Sequence, residues 1–299
     1  MTPDAPDAPT GAPTRGADPV GDLLAVLDLA ETGDDAFRAP SQWMPHGRVF
    51  GGQVLAQSVV AASRTVPPER AIHSAHGYFL RPGSLEPAIA FAVERIHDGR
   101  SFTTRRVQAL QEGVPIFSMI ASFQDDDPGL DHQAAMPEGL LDPDSLPTAE
   151  ELLGHLPRTL TAFWTGSAFD IRYAGTPIWL DVEGERVAHQ AVWMRARRRL
   201  PDDPMLQRAA FAYASDFTIL ESTLRRHGVP WATPGLKMAS LDHAMWWHRP
   251  SRADEWWCYV QEAPNAIGGR GLSLGRIFSR DGVLIASVAQ EGMIRVPSR

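Results

Sequence analysis

The pattern of apolar and polar positions is most distinctive in residues 205–224, MLQRAAFAYASDFTILESTL. Good helix formers, with apolar side chains around most of the circumference between Ala209 and Leu220, predict one helix that is buried on several sides. One acidic residue, Asp216, interrupts the apolar part. Because burial removes solvation from a carboxylate, we expect Asp216 to be paired with a cation, raised in pKa, or turned toward a cleft.

The first part of the chain combines an apolar helix with several strands. After a short amphipathic helix at residues 23–29, the pair Gly51 and Gly52 allows a tight turn into a second apolar helix within residues 49–66. Segments of β-branched and aromatic residues, separated by turn residues, then predict an antiparallel meander. Its strands are expected at residues 73–79, 88–96, 101–110 and 115–123.

Two segments have a different composition and set the domain boundaries. Residues 1–20 are rich in Pro, Ala, Asp and Gly, which predicts a disordered tail. Residues 126–168 are rich in Asp and Pro and predict a linker, with one short helix capped by Thr148 and by Glu151 three residues later. We therefore expect a first unit at residues 21–125 and a second unit, carrying the acid, at residues 169–299.

The order of elements repeats after the linker. The fragment YFLRPG at residues 78–83 resembles WWHRPS at residues 246–251, and two hairpin segments match at nearly the same offset. Similar offsets at separate places indicate a duplication of one helix-and-sheet unit, and the two sheets could pair edge to edge. Aligning the helices places Gln53 opposite Asp216, so that only the second unit has the acid. Chance similarity between β-hairpins is the alternative.

Composition narrows the classes of partner. The 299 residues carry a formal net charge of −8, which argues against nucleic acid or an anionic membrane as a partner. The single cysteine, Cys258, excludes an intramolecular disulfide. No apolar stretch reaches the roughly 18 residues of a membrane span, so that a cytoplasmic location is expected.

Longer sequence strings carry a resemblance to a known family. The chain resembles the acyl-CoA thioesterase II family from about residue 23 to residue 295, in the strings VFGGQVLAQ, HSAHGYFLRPG, DGRSFTTRRVQALQEGVPIFSMIASFQ, YASDFTIL, LDHAMWWHRP and DGVLIASVAQEGMIR. The resemblance implies an α+β double hotdog fold, in which two helices are each wrapped by an antiparallel sheet within one chain. It also implies hydrolysis of fatty acyl-CoA to free fatty acid and CoA, and assembly into a homo-oligomer.

The family's catalytic residues fall on three positions of this sequence. The resemblance implies an acid at Asp216, a hydroxyl residue at Ser240 and an amide at Gln290. We expect Asp216 to deprotonate a water that Ser240 and Gln290 position, with a backbone N–H near Gly51 and Gly52 facing the oxyanion. Without the resemblance, Ser240 and Gln290 are more simply an ordinary strand hydroxyl and a solvent-facing amide, and Asp216 a residue that caps the helix or pairs with a nearby arginine.

Further positions are candidates for binding the substrate. Two of them are Gln53, which follows the glycine pair, and His76. His76 lies three residues after His73, which places the two histidines on opposite faces of a strand and makes them a poor metal pair. Arginines in the repeated hairpins are candidates for the CoA phosphates, among them Arg105, Arg106 and Arg270. No metal and no cofactor is expected.

Other readings of the same chain stay open. Asp242 and His243 resemble a catalytic dyad, but neighbouring strand residues point to opposite faces, and we expect a structural hydrogen-bonding role for them. His46 before the first helix suggests a hotdog dehydratase or hydratase, although residues 53–63 contain no acid for that chemistry. A non-catalytic module that binds acyl-CoA is the third possibility.

Overall fold

Residues 16–297 are described by the computed structural model, and the predicted tail lies mostly outside them. Helix α1 (Pro19–Leu27) begins one residue before the predicted end of that tail, because Asp18 caps it by accepting a hydrogen bond from the Gly21 N–H. A hairpin of β1 (Ala30–Gly33) and β2 (Ala36–Ala39) follows.

The first unit consists of one buried helix and a meander. Helix α2 (Gly51–Ser63) precedes four long strands, β3 (Ala71–Phe79), β4 (Ile89–Asp98), β5 (Phe102–Gln111) and β6 (Val114–Gln124). Every residue of α2 from Gly52 to Ala62 is buried, as the apolar pattern predicted. These strands confirm the predicted positions to within a few residues.

The second unit repeats this arrangement after two short helices, α3 (Ala149–Leu153) and α4 (Arg158–Thr165). It comprises β7 (Phe169–Tyr173), β8 (His189–Ala196), α5 (Pro204–Ser215), α6 (Glu221–His227), β9 (Lys237–Ser240), β10 (Asp242–Trp247), β11 (Trp257–Ile267), β12 (Arg270–Ser279) and β13 (Leu284–Arg295). The capping box of Thr148 and Glu151 at α3 is confirmed, whereas the sequence did not predict α4.

The two sheets join edge to edge into one antiparallel sheet. In the described residues the strand order is β1-β2-β4-β5-β6-β3-β10-β13-β12-β11-β8-β7, with β9 paired to β13. The junction is the β3–β10 pair, in which His76 lies opposite Ala244. One hydrophobic core continues through both units, and α2 and α5 lie side by side within it. The layers are those expected of an α+β double hotdog.

The predicted single helix at residues 205–224 is wrong, because the chain leaves the helical path at Asp216. Helix α5 ends at Ser215 and α6 begins only at Glu221. Side chains of the sheet bind the backbone at this break: the Tyr259 hydroxyl donates to the Ser215 carbonyl at 3.1 Å, and Gln190 Nε2 donates to the Thr218 carbonyl at 3.4 Å. Ser, Asp and Thr residues also favour helix ends, because their own short polar side chains hydrogen-bond to nearby backbone groups. The acid is therefore the C-cap of α5.

Membrane-spanning helices are not found in the described part of the chain, since none of its helices combines sufficient length with sufficient apolar character.

Candidate active site

Three predicted side chains converge where α5 ends. Gln290 Nε2 donates to Asp216 Oδ1 at 2.9 Å, and the Ser240 hydroxyl donates to the same oxygen at 3.2 Å. Gln290 Nε2 also donates to Ser240 Oγ at 2.9 Å. Because each group lies within hydrogen-bond distance of the other two, the trio forms one polar cluster.

Three different elements supply the trio. Asp216 caps α5, Ser240 ends β9, and Gln290 lies on β13 with its side chain turned into the core, 1% exposed. Strand β9 pairs with β13 so that Ser240 lies opposite Gly292. A Cβ on Gly292 would lie 2.3 Å from the Leu220 side chain, so that glycine lets the chain after Asp216 pack on β13.

His243 fixes the orientation of the Gln290 amide, which sequence reasoning did not foresee. Its Nδ1 contacts Gln290 Oε1, and its Nε2 lies 3.0 Å from Ser215 Oγ. Burial lowers the pKa of His243 to about 4, so that the ring is neutral. Since Oε1 only accepts, Nδ1 carries the proton, and the single Ser215 hydroxyl hydrogen is shared between His243 Nε2 and the Ala212 carbonyl at 2.9 Å. The amide nitrogen is thereby held toward Asp216 and Ser240.

The predicted structural role of Asp242 and His243 is confirmed. The two side chains lie on opposite faces of β10, and Asp242 Oδ1 accepts a hydrogen bond from the Glu291 N–H at 2.7 Å rather than contacting the ring of His243. Asp242 thus connects β10 to β13 next to Gln290, while His243 contacts Gln290 from inside the core. The pair is not a catalytic dyad.

The environment of Asp216 raises its pKa to about 6. Burial is the main cause, and hydrogen bonds from Gln290, Ser240 and the Gly52 N–H act in the opposite direction. Among the ion pairs of the described residues none involves Asp216, so that pairing with an arginine is wrong, whereas the alternative that Asp216 caps the helix is confirmed at the end of α5. Arg225 instead donates to the Thr176 carbonyl and Gln190, and Arg226 to the Arg186 carbonyl. A carboxyl with a pKa near 6 is suited to general-base work near neutral pH.

The glycine pair brings the start of α2 against the acid. A Cβ on Gly51 would lie 2.6 Å from Asp216 Oδ2, and a Cβ on Gly52 would lie 2.3 Å from the Tyr213 carbonyl oxygen. Both positions require glycine for close approach, the first to the carboxylate and the second to the backbone of α5. The positive end of the α2 dipole consequently points at the site, where it favours negative charge.

A cavity of about 830 Å³ opens onto the trio, a volume typical of small-molecule sites. Its lining includes Gly51, Asp216, Ser240 and Gln290 together with apolar side chains of both units. Three further residues with polar or charged side chains line it, namely His46, Arg48 and Arg81. The sequence offered one signal for Arg81, which belongs to the repeated RPG fragment at the end of β3.

Two predicted binding residues lie elsewhere than expected. Gln53 is fully buried, where its side chain accepts from the Gln42 N–H at 2.9 Å and donates to Gln57 at 3.1 Å. His76 lies on the outer face of β3, exposed and 5.0 Å from the ring of Trp246. Neither residue lines the cavity, because the Gln53 side chain is turned toward Gln42 and Gln57 and His76 is on the face of the sheet that the helices do not cover.

Arg105 has a structural place in the fold. Its side chain is 1% exposed, and all five of its N–H donors are engaged, with Thr65, His97, Thr104 and Asp98 as partners. No donor remains for a CoA phosphate, and we do not retain Arg105 as a binding residue. The apolar alternation of β5 could have indicated this, since Arg105 occupies an inward position between Thr103 and Val107.

Arg106 and Arg270 lie on the surface as predicted, but each already has an acidic partner. Arg106 pairs with Glu94, and Arg270 Nε lies 3.1 Å from Glu291 Oε1. All four side chains are more than a third exposed, so that these ion pairs are weak and easily exchanged for a phosphate. Neither arginine lines the cavity. Groups of three or more His, Cys, Asp or Glu that could hold a metal are not found in residues 16–297.

Comparison with known proteins finds relatives along most of the chain. The family described as acyl-CoA thioesterase matches residues 167–293, and the acyl-CoA thioesterase N-terminal domain matches residues 39–124. Acyl-CoA thioesterase 2 of Haemophilus influenzae is 36% identical over 287 residues, which cover 93% of this chain and 99% of the relative. The crystal structure of acyl-CoA thioesterase II TesB2 from Mycobacterium marinum is 42% identical, with a TM-score of 0.76 and coverage of 92% of this chain and 99% of that one.

A more distant neighbour supports the fold alone. A protein of unknown function with a hot dog fold from Alicyclobacillus acidocaldarius has a TM-score of 0.74 at 17% identity, covering 92% of this chain and 98% of that one. The fold and the site thus define a double hotdog protein. Within that class, the chain belongs to the acyl-CoA thioesterase family.

Proposed function

We propose that this protein hydrolyses fatty acyl-CoA thioesters to free fatty acid and CoA, with Asp216 as general base. The observation that carries the proposal is the convergence of Asp216, Ser240 and Gln290 on one another at a largely apolar cavity. The names of the relatives, which are acyl-CoA thioesterases, support the substrate class. The proposed reaction uses protein side chains and water, without a cofactor.

The hydrogen-bond directions assign a task to each group. Both N–H bonds of the Gln290 amide are engaged, one by Asp216 and one by Ser240. Because the Ser240 hydroxyl donates to Asp216, its oxygen has one lone pair left to accept a hydrogen bond from water. A water held there presents its other hydrogen to the carboxylate. Asp216 takes that proton while the water oxygen attacks the thioester carbon.

The oxyanion of the tetrahedral intermediate needs a donor on the opposite side. The N–H of Gly52 is directed at Asp216, which leaves the N–H of Gly51, the first residue of α2, as our candidate donor. The C–S bond then breaks, and the proton on Asp216 passes to the leaving thiolate. The thiolate accepts this proton readily, because the pKa of a thiol, about 8.5, is higher than that of the Asp216 carboxyl.

The charge at the cavity favours a phosphorylated substrate. Arg48 and Arg81 line it and carry no carboxylate partner among the ion pairs of the described residues. Arg81 donates to the Pro115 carbonyl at 2.8 Å, which fixes its guanidinium without neutralising it. We include Arg48 and Arg81 with Arg106 and Arg270 as candidates for the CoA phosphates.

A thiol-release assay tests the proposed activity. Purified protein is incubated with short-, medium- and long-chain acyl-CoA, and free CoA is measured with a thiol reagent. Release from at least one chain length is expected. Absence of release across all of them would contradict the hydrolase and favour a dehydratase, a hydratase or a module that only binds acyl-CoA.

Assembly and location stay predictions. We propose a homo-oligomer, supported by apolar side chains left on the outer face of the first unit, where Tyr78 is 62% and Ile120 48% exposed. The cytoplasm stays the expected location. Light scattering of the purified protein distinguishes an oligomer from a monomer.

A further inference from the structure

An aromatic wall, formed by Phe163, Trp164 and Trp231, closes one part of the cavity. Phe163 and Trp164 belong to α4, in the segment that connects the two units, and Trp231 lies in the loop after α6. None of the three residues belongs to α2, to α5 or to the sheet. The wall is therefore a feature added to the two repeated units.

Ring contacts connect this wall to the catalytic carboxylate. Phe217 directly follows Asp216, and its ring lies 5.5 Å from that of Phe163. Phe163 contacts Trp164 at 4.9 Å, and Trp164 lies 6.3 Å from Trp231. Phe217, Phe163, Trp164 and Trp231 all line the cavity that contains Asp216, so that an apolar surface for an acyl chain adjoins the carboxylate.

Hydrogen bonds hold the wall in place. The Trp231 indole N–H donates to Glu221 Oε1 at 2.7 Å, and its backbone N–H donates to the Ile178 carbonyl at 3.0 Å. Glu221 is fully buried and also accepts from Tyr173 at 3.0 Å. Trp164 is 7% exposed and packs on Trp179 at 5.5 Å. A wall anchored in this way yields little to a longer ligand.

The polar lining residues do not belong to the wall. His46, Arg48 and Arg81 come from the first unit, whereas the lining residues of α4 and of residues 231–239 are all apolar. A substrate with a charged nucleotide at one end and an apolar tail at the other therefore fits in one direction, with the tail toward the aromatic wall.

We propose that the aromatic wall ends the acyl channel and sets the longest chain that the enzyme accepts efficiently, with Trp164 as the main determinant. This inference rests on the proposed thioesterase function. Replacing Trp164 with a smaller residue opens space beyond the end of the channel, so that longer chains enter, while short chains lose contacts. Each additional methylene accommodated in such a pocket changes kcat/KM by about 10-fold to 200-fold.

The test compares chain-length profiles. For wild type and for Trp164→Ala, Trp164→Phe and Phe163→Leu, kcat/KM is measured with acyl-CoA of 6 to 18 carbons. The ratio of long-chain to short-chain kcat/KM is expected to rise about tenfold or more in Trp164→Ala. It should rise by less in Trp164→Phe, which also serves if the alanine variant does not fold, and in Phe163→Leu.

Trp256→Ala is the matched control. Trp256 is 5% exposed, similar to Trp164, but packs in a separate cluster with Leu146, Trp193 and Cys258 and does not line the cavity. Its profile is expected to keep the wild-type ratio. An unchanged ratio in the folded Trp164 variants overturns the wall as length determinant, whereas absence of thiol release by the wild-type protein overturns the proposed function itself.

Discussion

Asp216 is half-buried at the wall of the cavity and incompletely paired, which is an unusual state for a carboxylate. Its partners are neutral, namely an amide, a hydroxyl and a backbone N–H, so that its charge is stabilised only in part. The raised pKa means that the Asp216 carboxyl ionises less readily than an exposed one, and that the ionised carboxylate is a stronger base. Ser240 and Gln290 then orient the base rather than neutralise it.

A pH profile follows from the raised pKa of Asp216. The base must be charged to accept a proton, and its pKa of about 6 lies above the ordinary value of 3.8. Activity is therefore expected to rise with pH through about 6 and to be lost below it. The measurement is kcat/KM for one acyl-CoA between pH 4.5 and 8.5. An acidic limb near pH 4 would contradict the raised pKa.

His243 should act through Gln290. His243→Ala removes the donor that orients the amide, which then flips or rotates away from Asp216. We expect kcat to fall by about tenfold to 100-fold, because a misplacement of about 1 Å in a catalytic site costs on that order. The double variant with Gln290→Ala should lose no more than Gln290→Ala alone, because the two residues act as a unit. Additive losses would show that His243 acts independently of the amide.

At the scale of elements, the site depends on the close approach of α2 and α5. Gly52 lies against the Tyr213 carbonyl, and this contact brings the N-terminus of α2 to the C-cap of α5. The helix α2 and the strands β3 to β6 could be predicted from apolar periodicity and turn residues, whereas α4 could not. The break at Asp216 could not, because side chains of β8 and β11, distant in sequence, bind the backbone there.

Gly51→Ala tests this approach. The new Cβ would lie 2.6 Å from Asp216 Oδ2, so that the carboxylate must shift from its place between Ser240 and Gln290. We expect a loss of kcat of about 10-fold to 100-fold, as a misplacement near 1 Å produces. Thiol release and thermal unfolding are measured together. Gly175→Ala is the control, since a Cβ there meets nothing within 4 Å. Equal activity in both variants would contradict the importance of the contact.

The sequence predicted only part of the site. Asp216 stood out on its own as an acid in an apolar segment, whereas Ser240 and Gln290 became candidates only through the family resemblance. His243, Trp164 and Trp231 were missed as site residues because their roles depend on contacts across the fold, such as the indole bond to Glu221. Arg105 was misjudged because an arginine on a strand can satisfy all its donors inside the protein.

At the scale of the whole molecule, duplication has separated two tasks. The first unit contributes the N-terminus of α2 and the arginines of the cavity, and the second contributes Asp216, the proposed base, with Ser240 and Gln290 beside it. Gln53 near the start of α2 is used for structure, with the Gln42 N–H and Gln57 as partners. The pairing of β3 with β10 holds the two units together as one sheet, so that both contribute to one cavity.

The most direct test of the central claim is thiol release by Asp216→Asn, measured with the thermal unfolding of the same protein. The account predicts a loss of kcat of about 100-fold to 10,000-fold, the contribution typical of a general base. Above pH 6, the variant should unfold at a temperature no lower than that of the wild type. The folded wild-type protein binds more protons than the unfolded chain between about pH 3.8 and about 6, so that ionised Asp216 destabilises the fold above pH 6. The substitution removes this charge. Wild-type kcat in the folded variant would contradict Asp216 as the base.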